Sequence, residues 1–263
     1  MKKPFHIWGI LNLTPDSFSD GNPRAGVADF VAKGLQLAAE GADFIDIGGE
    51  SSRPGAVPIS EAEEMARVMP VLDALLAGVA IPLSIDTRRA SVARAALAKG
   101  VAIVNDIFGL QGDGAMADVV ASRGARVVVM HGLGQTFCAD DIVADVAAFW
   151  QKSLAIARRA GILEKKVLLD PGIGFGKTVE QNVLVLRHLD SLCAAFPGQE
   201  IFLGISRKSI LGYIGDEPKP QRRDLAGIVV IQEALRQGVR HFRVHAVAMA
   251  RRALSIWKKI YGQ

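Results

Sequence analysis

Most of the features that mark a specialised function class are scarce in this chain. Its 263 residues include only two cysteines. Cys138 and Cys193 lie far apart and outside any zinc-ligand spacing, which excludes a disulfide framework and a thiolate metal site and fits a reduced, cytoplasmic setting. No apolar run approaches the roughly 18–20 residues of a membrane span. The opening Met-Lys-Lys-Pro-Phe-His carries no apolar stretch of signal-peptide length, so neither a membrane protein nor a secreted one is expected. Aromatic residues make up 6% of the chain and are not interleaved with basic ones, and lysine and arginine never form a run. With a net charge of only +4 at pH 7, nucleic-acid binding has little support, and the mild basic bias equally suits an anionic small substrate.

What the chain does have is apolar content, 50% against 22% charged, enough for a substantial core. It is distributed as a repeat. Short apolar runs occur at His6–Leu13, Phe44–Gly49, Pro82–Thr87, Ile103–Phe108, Arg126–His131, Val167–Asp170, Ile201–Ser206 and Phe242–Val247, each the length of a buried parallel strand. Between them lie segments with helical apolar spacing, such as Val183, Leu186, Leu189 and Cys193 on one face. Helix starts are signalled by Ser60-x-x-Glu63 and Thr178-x-x-Gln181. Helix ends are signalled by Gly41, Gly100, Gly124 and Gly238, each followed almost at once by the next strand. Eight strand–helix repeats in this length predict an α/β fold, a single (β/α)8 TIM barrel over residues 1–263 with no linker. A doubly wound open sheet is the competing arrangement. A barrel gathers its functional residues at the C-terminal ends of its strands.

The strand ends meet that expectation. They carry Asn12, Asp46, Asp86, Asn105 with Asp106, His131, Asp170, Ser206 through Ser209, and Arg243 with His245. One acid at a strand end is no more than a cap, but eight polar ends on apolar runs read as a shared site. The sixth is the most informative. Val167–Thr178 is a buried strand that stops at Asp170, beside a proline and three glycines. It is not a phosphate loop, because the glycine required five residues before Gly176 is Pro171, and Gly172, Gly174 and Gly176 miss the dinucleotide spacing. Thr178 is expected to be a helix cap and Lys177 to be solvated, which leaves Asp170 and Phe175 as the functional candidates.

By chemistry the candidates fall into two groups. Asp86, Asn105, Asp170 and Lys208 supply fixed acceptors and donors suited to a flat heterocycle bearing amino, ring N–H and carbonyl groups, since a buried carboxylate accepts two N–H bonds side by side. Asn12, Ser51, Ser52, Arg53, Arg243 and His245 suit an anion such as phosphate or pyrophosphate. Asn12 could also ligate Mg²⁺ together with phosphate oxygens, the incomplete protein coordination usual for that ion. There is no nucleophile elbow and no Ser–His–Asp set, so the implied reaction positions its substrates and stabilises a departing anion.

These residues stand in blocks that resemble the dihydropteroate synthase family: Gly9-Ile-Leu-Asn-Leu-Thr-Pro-Asp-Ser-Phe-Ser-Asp-Gly21, Asp46-Ile-Gly-Gly-Glu-Ser-Ser-Arg-Pro-Gly-Ala56, Ser84-Ile-Asp-Thr87, Asn105-Asp-Ile107, Leu169 through Thr178, Ser206-Arg-Lys-Ser209 and Arg243-Val-His245. The resemblance runs in order over nearly the whole chain. It implies condensation of 6-hydroxymethyl-7,8-dihydropterin pyrophosphate with 4-aminobenzoate, giving 7,8-dihydropteroate and pyrophosphate in folate biosynthesis. Asp86, Asn105, Asp170 and Lys208 would then hold the pterin. Asn12 would bind Mg²⁺ at the pyrophosphate, with Ser52, Arg53, Arg243 and His245 around the anion. Phe175, Ser209, Pro54 and Lys208 would form the aminobenzoate pocket, closed by Asp16, Phe18 and Asp20. The family mechanism is an SN1-like loss of pyrophosphate followed by attack of the arylamine. It implies sulfonamides as competing inhibitors and a homodimer formed through the outer helices.

The chain departs from the family pattern at three places. Ala246 follows Arg243-Val-His245 where Asp is usual. The fifth loop reads His131-Gly-Leu-Gly-Gln-Thr-Phe137 in place of a Met-Gln-Gly-Thr-Pro version. Arg222 through Gly227 lacks a Gly-Ser/Thr pair. None removes a residue assigned to substrate or metal, and Ser52 in place of Thr keeps the hydroxyl. Ala246 leaves a non-catalytic pterin-binding paralogue as the alternative. A methyltetrahydrofolate methyltransferase fits less well, because it needs no pyrophosphate site and so no Arg53, Arg243 or Asn12 loop.

Overall fold

The structure, a computed structural model, describes residues 4–14, 26–51, 56–132 and 141–262. Eight parallel strands close into a barrel in sequence order. They are β1 (His6–Asn12), β2 (Phe44–Gly48), β3 (Leu83–Asp86), β4 (Ile103–Asp106), β5 (Arg126–Met130), β6 (Val167–Asp170), β7 (Glu200–Gly204) and β8 (His241–Val244). Closure is made by β8 on β1, with His6 opposite His241 and Gly9 opposite Val244. Around the strands run α1 (Val27–Ala39), α2 (Glu61–Gly78), α3 (Ala90–Lys99), α4 (Met116–Ser122) and α5 (Ile142–Arg159). The second half adds α6 (Val179–Arg187), α7 (Leu189–Ala195), α8 (Ser209–Ile214), α9 (Asp224–Arg236) and α10 (Val247–Tyr261). The expected TIM barrel is therefore the observed fold.

Two apolar layers hold it. The larger lies between strands and helices. The smaller, Trp8, Phe44, Ile103, Val128, Leu168 and Phe202, forms a separate cluster in which Trp8 stacks on Phe44 at 4.4 Å and meets Phe202 edge-on at 4.9 Å. Trp8 Nε1 donates to His241 Nδ1 at 3.0 Å. Nδ1 is thereby an acceptor, so the ring proton sits on Nε2 and is donated to Glu200 Oε2, also at 3.0 Å. Burial holds His241 below its usual pKa, and the bond from His241 holds Glu200 down at about 2, so the two agree on a neutral ring and an ionised acid. Trp150, fully buried on α5, sends its indole N–H to the backbone oxygen of Asp170 at 3.2 Å, tying an outer helix to the end of β6.

The helix signals are realised. Ser60 Oγ accepts from Glu63 N at 3.2 Å, and Thr178 with Gln181 makes a full capping box with bonds of 3.0 and 3.2 Å. Gly100 and Gly238, each at φ 108°, turn out of α3 and α9 in a conformation that disfavours any other residue.

Several boundaries differ from the sequence reading. The fourth strand ends at Asp106 rather than Phe108, because the Asp106 carboxylate accepts from Phe108 N at 2.9 Å and Leu110 N at 2.7 Å and folds the chain over. The seventh starts at Glu200 and ends at Gly204, two residues short of Ser206. The eighth ends at Val244, and Val247 opens α10 instead. Val183 through Cys193 is not one helix, since His188 at φ −112°, ψ 25° separates α6 from α7.

Candidate active site

At the C-terminal end of the barrel, Arg243 is shared between two carboxylates. Its Nε donates to Asp46 Oδ2 at 2.6 Å and its Nη2 to Asp86 Oδ2 at 2.9 Å. Asn105 Nδ2 donates to the same Asp46 oxygen at 3.0 Å. Strands β2, β3, β4 and β8 are thus joined by one buried network. Asp46 was visible in the sequence only as a polar strand end; the structure makes it the common acceptor beneath two assigned residues. Gly48 keeps the space above open: a methyl there would lie 3.6 Å from Asn12 Oδ1 and 3.6 Å from Asp86 Oδ2.

On the opposite side, Asp170 and Lys208 converge over a second bare position. A methyl on Gly204 would lie 3.8 Å from Lys208 Nζ, 3.9 Å from Asp170 Oδ2 and 4.0 Å from Arg243 Cβ. Lys208 Nζ stands 4.3 Å from the centre of the Phe175 ring, a cation–π distance, and donates to Ile173 O. Asp170 Oδ1 accepts from Gly172 N at 2.7 Å. Gly172, at φ 63°, cannot carry a side chain, because a Cβ would fall 1.6 Å from His131 O. The close approach packs loop six on the end of β5.

Lys177 corrects the sequence reading. It is not solvated: its amine turns inward and donates to Gly172 O at 3.0 Å and to His131 O and Phe175 O at 3.3 Å. Three carbonyls around one ammonium fix the loop that carries Phe175. Asp106 and His131 are also structural in effect. The former closes its own turn, and the latter packs edge-on against Phe149 at 5.1 Å.

Burial sets the ionisation of the site. Asp86 is pushed up to about 7, mainly by desolvation, with Arg243 opposing and Asp46 adding. Asp170 is raised for the same reason, against Lys208. Lys208 is pulled down to about 8 by desolvation, with Asp170 resisting, and Lys177 to about 7. Desolvation also takes His131 to about 3, so it is neutral. Carboxylates and amines near their balance points can exchange partners with a ligand at little electrostatic cost.

Among the other candidates, His245 is held by Ser206, whose Oγ lies 3.0 Å from its Nδ1 and accepts from its backbone N–H at 3.1 Å. Ser209 is exposed at the start of α8, next to Lys208. Ser51 is half-buried after β2. Asp16, Phe18, Asp20, Ser52, Arg53 and Pro54 lie outside the described residues, as does the altered fifth loop after Gly132. The described residues before and after 52–55 are tied to one another. Glu50 accepts from Arg88 at 2.8 Å, Arg89 at 2.6 Å and Ile59 N at 3.3 Å, and Arg67 donates to Gly49 O at 3.0 Å. Arg89 also pairs with the buried Glu64. Sequence reasoning passed over these arginines because they follow the motif rather than stand in it.

Known proteins match the chain over nearly its whole length. Residues 8–245 match the pterin binding enzyme family. The dihydropteroate synthase of Synechocystis is 40% identical over 94% of this chain and 88% of its own length. The Xanthomonas albilineans dihydropteroate synthase solved with 4-aminobenzoic acid superposes with a TM-score of 0.92 at 42% identity, covering 97% of this chain and 92% of that one. The same enzyme in complex with 7,8-dihydropteroate gives 0.88 at 39%, covering 97% and 93%. With a family match over residues 8–245, and 40% identity to a dihydropteroate synthase across 94% of its length, the chain belongs to the dihydropteroate synthase family of pterin-binding enzymes.

Proposed function

We propose that this chain condenses 6-hydroxymethyl-7,8-dihydropterin pyrophosphate with 4-aminobenzoate to give 7,8-dihydropteroate and pyrophosphate. The observation that carries the reading is the convergence of Asp170 and Lys208 over Gly204, with the Phe175 ring against the amine. An acceptor for pterin N–H groups, a donor for its ring nitrogen or carbonyl, and a flat surface for the second substrate then share one space. Asp86 and Asn105 complete the pterin edge. Asp46 and Asp86, bound to one guanidinium, leave carboxylate charge beside a pterin methylene that becomes cationic as pyrophosphate departs. The arylamine then attacks that carbon, and its proton is lost to solvent or to a neighbouring base.

Ser51, Ser52, Arg53 and His245 are assigned to the pyrophosphate. Arg243 contributes less directly, since two of its nitrogens are committed to carboxylates. The residues present fit a magnesium ion only if the substrate completes its shell. Asn12 offers a side-chain oxygen close to the open space at Gly48, and no group of three or more His, Cys, Asp or Glu among the described residues could hold a metal. Held by Asn12 and phosphate oxygens, Mg²⁺ would supply charge neutralisation of the leaving group. Sulfonamides, which share the aryl amine and an acidic group with aminobenzoate, are assigned to the Phe175 side. Asp16, Phe18 and Asp20 are assigned to closing the site against water.

The chain is also assigned to a homodimer. Leu225 and Val229 on α9, and Ile256, Ile260 and Tyr261 on α10, are exposed apolar side chains on adjacent outer helices. A cytoplasmic location fits the cysteine content, and among the described residues no helix is long and apolar enough to cross a membrane.

Given pterin pyrophosphate, aminobenzoate and Mg²⁺, the protein should release pyrophosphate and dihydropteroate in equal amounts. Pterin binding without product would overturn the synthase reading in favour of the non-catalytic paralogue. Lys208→Ala and Asp170→Asn should each lower kcat/KM by roughly 10²–10³, the usual effect of removing one preorganised group, and near-normal turnover in both would contradict the assignment.

A further inference from the structure

Lys208 is delivered to the site by a backbone that does not favour the residue before it. Arg207 sits at φ 61°, a left-handed conformation that residues other than glycine adopt at a cost. The turn is short. β7 ends at Gly204, Lys208 N donates to Ile205 O at 3.2 Å, and α8 begins at Ser209. Within that span the chain must aim the Lys208 amine at Ile173 O and the Phe175 ring.

A two-pronged ion pair holds the turn. Arg207 Nε donates to Asp224 Oδ1 at 2.9 Å and Nη2 to Asp224 Oδ2 at 2.8 Å. The Asp224 side chain, at the start of α9, is only 14% exposed. The preceding residue holds the other end, since Arg223 Nη1 donates to Arg207 O at 3.2 Å while its Nε is fixed by Glu217 O at 2.8 Å. A single-point surface pair would contribute little, but a planar fork restrains rotation as well as distance.

We infer that Asp224 is a positioning residue for the reaction: its fork with Arg207 keeps the left-handed turn in place and so fixes where the Lys208 amine stands. The inference rests on the reading of Lys208 as a substrate-binding group. It assigns to the start of α9, where the chain departs from its family pattern, a task in the site that no direct contact reveals.

The test separates the guanidinium from the backbone. Arg207→Ala and Arg207→Gly both delete the fork, but only alanine keeps the left-handed penalty, which corresponds to roughly a 5- to 30-fold loss of occupancy. Arg207→Ala and Asp224→Ala should each lower kcat/KM for 4-aminobenzoate by about tenfold, whereas Arg207→Gly and the Asp224→Ala/Arg207→Gly double variant should stay within about threefold of the starting protein. Asp224→Asn, the gentlest change, should reduce activity with Arg207 present and have no effect with glycine there. Unfolding midpoints taken alongside ensure that rates are compared on folded protein. An equal loss from the Asp224 change in both backgrounds would mean a merely structural role and overturn the inference. So would an alanine variant no worse than the glycine one. A starting protein that makes no dihydropteroate would instead overturn the functional reading itself.

Discussion

Asp46 Oδ2 serves Arg243 and Asn105 at once, while no hydrogen-bond partner within the described residues reaches its buried Oδ1. The oxygen of Ser84, opposite it on β3, is buried in the same state. Replacing Asp46 by Asn keeps the shape but leaves Arg243 with one carboxylate. Removing one partner of a buried pair costs roughly 3–5 kcal/mol, so Asp46→Asn should lower both the unfolding midpoint and kcat/KM, and a variant normal in both would remove Asp46 from the site. The ionisable groups add a pH signature. In the proposed roles, Asp86 accepts N–H bonds most strongly when ionised and titrates near 7, while Lys208 donates most strongly when charged and titrates near 8. The kcat/KM profile should therefore peak between about 7 and 8 and fall on both sides. The stability sign for Asp86 follows from its raised folded value: between the ordinary carboxylate value of 3.8 and about 7 the folded state binds the extra proton, so this group's contribution is lost as pH rises through 7. Unfolding free energies of the starting protein and Asp86→Asn, measured from pH 4 to 8, should show that difference shrinking with pH.

At the level of elements, α10 lacks a side-chain cap, because Ala246 occupies its N-cap position and its first turn holds no acid. A cap of Asp or Ser is worth about 0.5–2 kcal/mol over alanine. Ala246→Asp should raise the unfolding midpoint by several degrees, and no rise would mean that the departure at 246 is not a capping defect. The same helix starts show what sequence could and could not convey. Thr178 and Gln181 are three apart and each side chain bonds the other's backbone, so their spacing alone told the outcome. The apolar strands were equally legible, since a parallel strand buried on both faces has no polar positions to hide it. His188 was not, because a one-residue break costs nothing in apolar spacing. Lys177 and Asp106 escaped for a different reason: each points back at its own loop, and only the folded path of that loop decides between solvent and backbone. For the site, position was readable from strand ends, but partnership was not. That Arg243 joins Asp46 to Asp86 depends on barrel closure between residues nearly two hundred positions apart.

For the whole molecule, closure rests on the cluster around Trp8, whose indole is packed by Phe44 and Phe202 and hydrogen-bonded to His241. Truncation to alanine removes the largest side chain there and leaves its bonded partner buried. Trp8→Ala should cost about 3–5 kcal/mol, measured by denaturant unfolding, far more than any change on the outer faces of α9 and α10. The bond from Trp150 to the backbone of Asp170 has a different kind of consequence. The chain holds three tryptophans, of which Trp8 belongs to the small buried cluster with Phe44 and Phe202 and Trp257 is on the outer α10. Trp150 is hydrogen-bonded to Asp170, one of the residues assigned to the pterin. Its emission is thus an internal optical gauge of the end of β6, open to titration with unlabelled pterin and made cleaner by Trp257→Phe.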